Sequence, residues 1–440
     1  MNTPVRVCAH YLRRGRDRAT TVLMTISLAL PFALLLTVVG GANMFVNRYY
    51  HPRNDFMSER FYLFCAAVAV TLTIIPIFSA SATAARLGLL RRTQHLGVMR
   101  LLGLSPRQVK QASLVDTLLV AGVGLAAGFA LYLLTMPLWQ FAKFQDTYIS
   151  WQEMWLGVEL ALLCLALTTV IVTVSAWLAL RPLDIGVLGV LRRSEAAKVS
   201  KKSLLVLVGI LLIWFWPAQM MLRLSVALGI GVGVAILALV LLMIHFIGVV
   251  TIALGGRLMA AFSASPAALV AARRIIDNPR TQWRSFGALA LVAFIVATTV
   301  PTISAISSYQ ETDYDLVISH DLILGMLIVF SFTFLLAAIS TLSNQSARAL
   351  DSAAQLRALI HLGASPAFLD RARRWEVSFP MLITVGTAFI LGLVFSLPLS
   401  MQVLRLSSIF AALGILVLGV ALVLLAGEGS RWWQRQALGA

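Results

Sequence analysis

The run Arg100-Leu101-Leu102-Gly103-Leu104-Ser105-Pro106 recurs as Ile360-His361-Leu362-Gly363-Ala364-Ser365-Pro366, about 260 residues further on. In both copies the glycine can end a helix in the left-handed conformation, the serine can cap the next helix, and the proline suits its first turn. The same offset carries Asp116 onto Glu376 and brings Pro137 to within one residue of Pro398. Upstream, Leu12-Arg13-Arg14-Gly15-Arg16 pairs roughly with Ile276-Asp277-Asn278-Pro279-Arg280. A repeat of this kind predicts two related halves, each a basic pre-membrane helix followed by four spans.

The flanks say what solvent those spans need. Of the 440 residues 60% are hydrophobic and 12% charged, and the mean hydropathy is +0.89. An ordinary soluble domain carries roughly twice that share of charge. Apolar runs long enough to cross a bilayer recur along the chain, at about 20–45, 62–85, 112–137, 155–180, 203–221, 224–253, 285–308, 322–345, 376–398 and 407–427. No cleavable signal peptide is needed to explain them. With both termini in the cytoplasm, 29 of the 35 Lys and Arg fall inside, and only Arg48, Arg53, Arg60, Lys143, Arg223 and Arg405 fall outside. The predicted fold is therefore an all-α integral membrane protein of about ten transmembrane helices, with two four-helix repeats joined by a two-helix linker. The expected boundaries are 1–193 for the first repeat, 194–256 for the linker with spans five and six, 257–430 for the second repeat and 431–440 for a cytoplasmic tail. The two linker spans restore orientation, so the repeats are parallel and can form a pseudo-two-fold pair.

The net charge of +17 lies in short loops beside the spans, which assigns it to anionic lipid and membrane orientation and leaves no expectation of nucleic acid. Cys8, Cys65 and Cys164 fall in different elements and read as small hydrophobes. The six histidines show no ligand spacing, and His245, the one deep in a span, reads as a packed, hydrogen-bonded residue. The outer residues Glu311, Asp313, Asp315 and Asp321 could attract a cation but read more simply as a solvated loop. The pairs Trp151 and Trp155, Trp214 and Trp216, and Trp432 and Trp433 fit interfacial anchors.

The longest polar stretches, 86–111, 181–202, 254–284 and 346–375, all lie on the predicted inner side, where a partner would meet the chain. Within the first, Leu96, Met99 and Leu102 form an apolar stripe at helical spacing beside Arg91, Arg92 and Arg100. In the last, Leu356, Leu359 and Ile360 form the stripe. Each predicts a short helix lying across the membrane surface, then a sharp re-entry. Asp116, Glu159 and Glu376 lie within about two turns of an interface, within reach of water. Two readings of Asp116 and Glu376 stand side by side. One is a salt bridge to pre-span or loop arginines that transmits motion; the other is a solvated helix-end carboxylate.

The segment Arg91 to Val109, followed by Asp116 and a span rich in glycine at Gly122, Gly124 and Gly128, resembles the FtsX-like permease family, membrane subunits of ABC transporters of the MacB/FtsX type. The resemblance is closest over residues 1–193 and weaker over 266–427. It implies an elbow helix at Arg6 to Arg18, with Arg13 and Arg14 and, in the second half, Arg280. It implies a coupling helix gripping an ATPase at Arg92 to Gly103, through Arg92, Leu96, Met99, Arg100, Leu102 and Gly103. Its counterparts would be Arg357, Leu359 and Gly363, and Asp116 and Glu376 would form a charge relay. The family's usual Glu early in the coupling segment is missing; Gln94 and Ala354 stand nearby. No Gly-x-x-x-x-Gly-Lys-Ser/Thr loop occurs in the chain. The resemblance therefore implies a non-catalytic subunit with no cofactor of its own, ATP and Mg being held by a separate ABC ATPase, in two copies. It also implies a bacterial inner-membrane location and amphiphilic substrates: lipids, lipoproteins, peptides or hydrophobic drugs. Some relatives instead pass force to extracellular or lipid-anchored accessory proteins. The ten-span order also resembles bacitracin-resistance-type permeases, but their large extracellular domain is replaced by the short link Ser307 to Asp321.

Two other classes compete. A secondary carrier should place ionisable residues near mid-membrane, and almost none occur there. A membrane-embedded transferase should cluster acidic or His residues at one face, and the only cluster, 311–321, has no nucleophilic companion.

Overall fold

The computed structural model describes residues 18–71, 106–180, 226–306, 313–361, 363, 365–397 and 405–428. These fold into ten helices longer than two turns: α1 (Arg18–Tyr50), α2 (from Arg60, described to Thr71), α3 (Pro106–Thr135), α4 (Gly157–Leu180), α5 (Val226–Phe262), α6 (Pro266–Asp277), α7 (Pro279–Ile306), α8 (Asp313–His361), α9 (Pro366–Ser396) and α10 (Leu406–Glu428). Among the described residues seven helices, namely α1, α3, α4, α5, α7, α8 and α9, are long and apolar enough to cross a bilayer. Helices are the expected answer, because in lipid every backbone N–H and C=O must be satisfied within the segment. Threonine hydroxyls follow the same rule: those of Thr37, Thr168 and Thr298 bond carbonyls one turn back in their own helices. The one departure from an all-helical chain among the described residues is a small antiparallel hairpin, β1 (Lys143–Phe144) with β2 (Thr147–Tyr148), between α3 and α4.

Two helix cores result, one arranged around α1 and the other around α7. In the most apolar stretch of α7, 78% of residues are buried by other protein, and in that of α1 67%, against 17% in α4. α7 packs most extensively on α9, and α1 on α3. Both crossings are made through a glycine. A Cβ on Gly128 of α3 would stand 2.5 Å from the carbonyl oxygen of Ala29 in α1, and one on Gly392 of α9 would stand 2.6 Å from that of Phe294 in α7. Only glycine lets the backbones come this close, the usual device of membrane helix pairs. α5, α6 and α10 join the core around α7, while Met136, Phe144, Met154 and Leu156 close the core around α1.

α8 belongs to both cores. Its Leu324 and Ile328 pack against the core around α1, and its Phe330 and Ala337 lie in that around α7. Ser27 of α1 and Ser343 of α8, both fully buried, share a 2.6 Å hydrogen bond.

Two expectations change. The second half's polar loop is not a separate surface-lying helix, because α8 runs unbroken for 49 residues from Asp313 to His361. Its polar part, 344–361, has neither Gly nor Pro and is rich in Ala, Leu, Gln and Arg, so nothing stops the helix. At about 1.5 Å per residue α8 is roughly 70 Å long, more than twice the hydrocarbon thickness. The expected linker boundary at 256 falls inside α5, which continues to Phe262 and packs on α6, α7 and α9. The fifth span, the first copy of the repeat up to Ser105, and the paired tryptophans near 215 and 432 lie outside the described residues, as does most of the second span.

Candidate functional site

Two polar constellations stand at opposite ends of the helices. At one end, Gly363 ends α8 with φ +89°, the left-handed conformation its sequence predicts, and the Ser365 hydroxyl caps α9 by accepting from the Phe368 amide at 3.3 Å, with Pro366 in the first turn. Ten residues into α9, Glu376 accepts from the Arg274 guanidinium at 3.3 Å and from the Gln282 amide at 3.4 Å. Arg274 belongs to α6, Gln282 to α7 and Glu376 to α9, so one carboxylate ties three elements together. Both members of the ion pair are partly exposed.

Arg280, expected to be the elbow residue, is exposed in the first turn of α7. The helix ahead of it is α6, capped by the Ser265 hydroxyl, which accepts from the Ala268 amide at 3.1 Å. α6 buries Ala267, Ala268, Ala271, Ala272 and Ile275. That stripe recurs at one-turn spacing behind a Ser-Pro start, a signal legible in the sequence, and it selects Arg274 as the cation facing Glu376.

Asp116 differs from Glu376. It is 0% exposed, in a stretch of α3 with buried Ala112, Ser113 and Thr117, so the water access expected for it is not found. Glu159, in the first turn of α4, is exposed as expected. Arg13, Arg14, Arg92, Leu96, Met99, Arg100, Leu102 and Gly103 lie outside the described residues; of Arg357 and Leu359 only the helical backbone is described.

At the other end, the hairpin turns through Gln145 and Asp146 with φ +56° and +58°. Arg48, 4% exposed at the end of α1, donates to the carbonyls of Phe144 (3.1 Å) and Tyr148 (3.4 Å) and to the Glu153 carboxylate (2.6 Å). Asn54 donates to the Gln145 carbonyl at 2.8 Å. From α8, Asp321 accepts from the Tyr62 hydroxyl and the Gln145 amide, both at 2.7 Å. Asp321 is only 3% exposed, which corrects the expectation of a solvated acidic loop at this residue. Here the sequence reading missed Arg48, which it counted only as an outside charge. Its place next to Tyr49 and Tyr50 at the end of a span carries no signal for a partner about a hundred residues away.

His245 accepts a 2.6 Å hydrogen bond from the Trp283 indole, as expected of a bonded histidine in a span. Cys164 is buried in the first core, as a small hydrophobe would be. No group of His, Cys, Asp or Glu suited to a metal occurs among the described residues.

Comparison with known families places one segment. Residues 63–182 match the family described as FtsX-like permease C-terminal, covering α3, α4 and the first copy of the glycine-serine-proline turn. Neither the curated proteins nor the solved structures yielded a match. The chain therefore carries an FtsX-like permease domain and is a multi-pass membrane protein. Such a domain implies the permease subunit of an ABC transporter, a subunit that is typically non-catalytic and partners an ABC ATPase.

Proposed function

We infer that this chain is a two-repeat permease in which one polypeptide supplies both halves that ABC ATPases move against each other. ATP hydrolysis on the partner would drive export or extraction of an amphiphile, or transmit force across the membrane. The observation that carries the reading is the FtsX-like match over 63–182, which contains the predicted coupling segment, Asp116 and the glycine-rich α3. The second half supports the two-repeat form through geometry rather than sequence: Gly392 meets Phe294 as Gly128 meets Ala29, and Gly363, Ser365 and Pro366 punctuate the chain as Gly103, Ser105 and Pro106 do in the sequence.

The charge asymmetry favours a cytoplasmic Gly363 end and an outer hairpin end. On the cytoplasmic side, 92–103 and the distal part of α8 would receive the ATPases in different ways, the second as a helix standing off the membrane. The Arg274–Glu376–Gln282 group would pass that movement from α9 to the elbow helix and α7.

The test is purification of the chain with its co-encoded neighbours. An ATPase subunit should co-elute and hydrolyse ATP, and Leu102→Asp and Gly363→Val should each lower the hydrolysis rate without releasing the chain from the membrane. Failure of any ATPase to co-elute sinks the reading.

A further inference from the structure

The hairpin end joins the two halves through a buried carboxylate. Asp321 sits near the start of α8, and both of its close donors belong to the first half: Tyr62 in α2 and the amide of Gln145 at the hairpin turn. Those donors are themselves fixed in place. Arg48 and Asn54 grip the hairpin's carbonyls, and the Tyr62 ring stacks on Phe45 with centroids 5.6 Å apart. The Phe144 ring lies against Phe45 on one side and approaches Gly325 of α8 on the other. Below this layer, Leu324 and Ile328 of α8 pack on the first core.

We propose that Asp321 is a latch that keeps the two halves closed at the outer face and releases when they separate there. The proposal rests on the transport reading only for the motion it gates. A carboxylate almost removed from water is stable there because two short, charge-assisted hydrogen bonds replace its hydration. When the halves part, water solvates the same carboxylate again, so closed and open arrangements differ far less than they would for a purely apolar contact of the same extent. Such a group makes a two-state contact rather than a permanent weld. Asp321 also rides on α8, the helix that continues to His361 at the opposite end, so a displacement applied there acts on the carboxylate through one continuous element. His320 stands 3.6 Å from the other carboxylate oxygen and is largely exposed, which leaves Tyr62 and Gln145 as the groups that hold the closed state.

The experiment places a cysteine beneath the latch, Leu324→Cys, in a chain whose Cys8, Cys65 and Cys164 are serine, and measures its modification by a membrane-impermeant maleimide in proteoliposomes. Asp321→Ala should speed modification by about tenfold or more, the effect of losing two such hydrogen bonds. Asp321→Asn, whose amide oxygen still accepts, should fall between. Tyr62→Phe removes one donor and keeps the ring, so it should give a smaller rise and serves if the alanine variant fails to fold. Asp146→Ala, on the exposed side of the same turn, should change nothing. Rates that stay unchanged in both Asp321→Ala and Tyr62→Phe, or an equal rise from Asp146→Ala, would overturn the latch. A final arm adds the ATPase and ATP: turnover should raise modification in the chain with Asp321 intact, and no rise would overturn the gating role. If no ATPase binds, the transport reading falls while the variant contrast still decides whether Asp321 holds the halves together.

Discussion

The helix bundles around α1 and α7 have separate cores built on the same kind of crossing, and they differ at their ends. In each, a central helix is crossed by a later one through a glycine against a backbone carbonyl, at Gly128 and Gly392. The first half then invests in its hairpin end, where Arg48, Asn54 and Glu153 fix the β1–β2 turn. In the second half the more elaborate end is the opposite one, where α8 runs on to the turn at Gly363 and Glu376 ties α6, α7 and α9. The difference teaches that a glycine crossing can fix a helix pair in the same way in both bundles while the ends are held by different chemistry: a buried cation on a hairpin in one, a partly exposed ion pair in the other.

The comparison can be broken first at its ends. Arg48→Ala leaves Glu153 and the carbonyls of Phe144 and Tyr148 without their buried cation, and should cost about 3–5 kcal/mol, read as a fall in thermal midpoint in detergent. The partly exposed pair at the other end should behave differently, with Arg274→Ala costing about 1 kcal/mol or less in the same assay. Equal losses would mean that the two ends are built alike. The glycine crossings are tested next. Gly128→Ala and Gly392→Ala should each cost about 1–3 kcal/mol, because a methyl group must force two backbones apart. Gly122→Ala and Gly414→Ala, where a Cβ meets nothing within 4 Å, should be neutral or slightly stabilising. A large loss in only one half would break the correspondence.

Gly363→Ala should cost about 1 kcal/mol, from the left-handed backbone it strains. The smallest effect belongs to Lys143. Its hydrogen bond to Asp146, with their mutual charge, raises the lysine's pKa, and the pair is exposed. A raised lysine pKa contributes fully below the unfolded value and fades only as pH climbs through the folded one. Thermal midpoints of Lys143→Ala and the unsubstituted chain should therefore stay parallel from roughly pH 6 to 9.

Helix positions were largely legible: the apolar runs at 20–45, 155–180 and 407–427 correspond to α1, α4 and α10 within a few residues at most ends. So was the turn at Gly363, Ser365 and Pro366, since cap chemistry is local. The helix α6 was legible only in part, because its alanines weigh little in a hydropathy reading although they mark the buried face. The continuity of α8 was misread because a polar segment after a span resembles a loop, whereas helix propensity without a breaker simply carries on.

By itself, the sequence determined that this is a membrane protein of many helices, where its turns fall, and that one segment is FtsX-like, because apolar length, positive charge and caps act over a few residues. Tertiary structure alone decided that Asp116 is buried, that Glu376 meets Arg274, that Gly128 and Gly392 carry the crossings, and that Asp321 of α8 accepts from Tyr62 and Gln145. Those outcomes depend on which helix faces which across tens to hundreds of residues, and a hydrogen bond or a close approach exists only once packing has brought both partners to within about 3 Å.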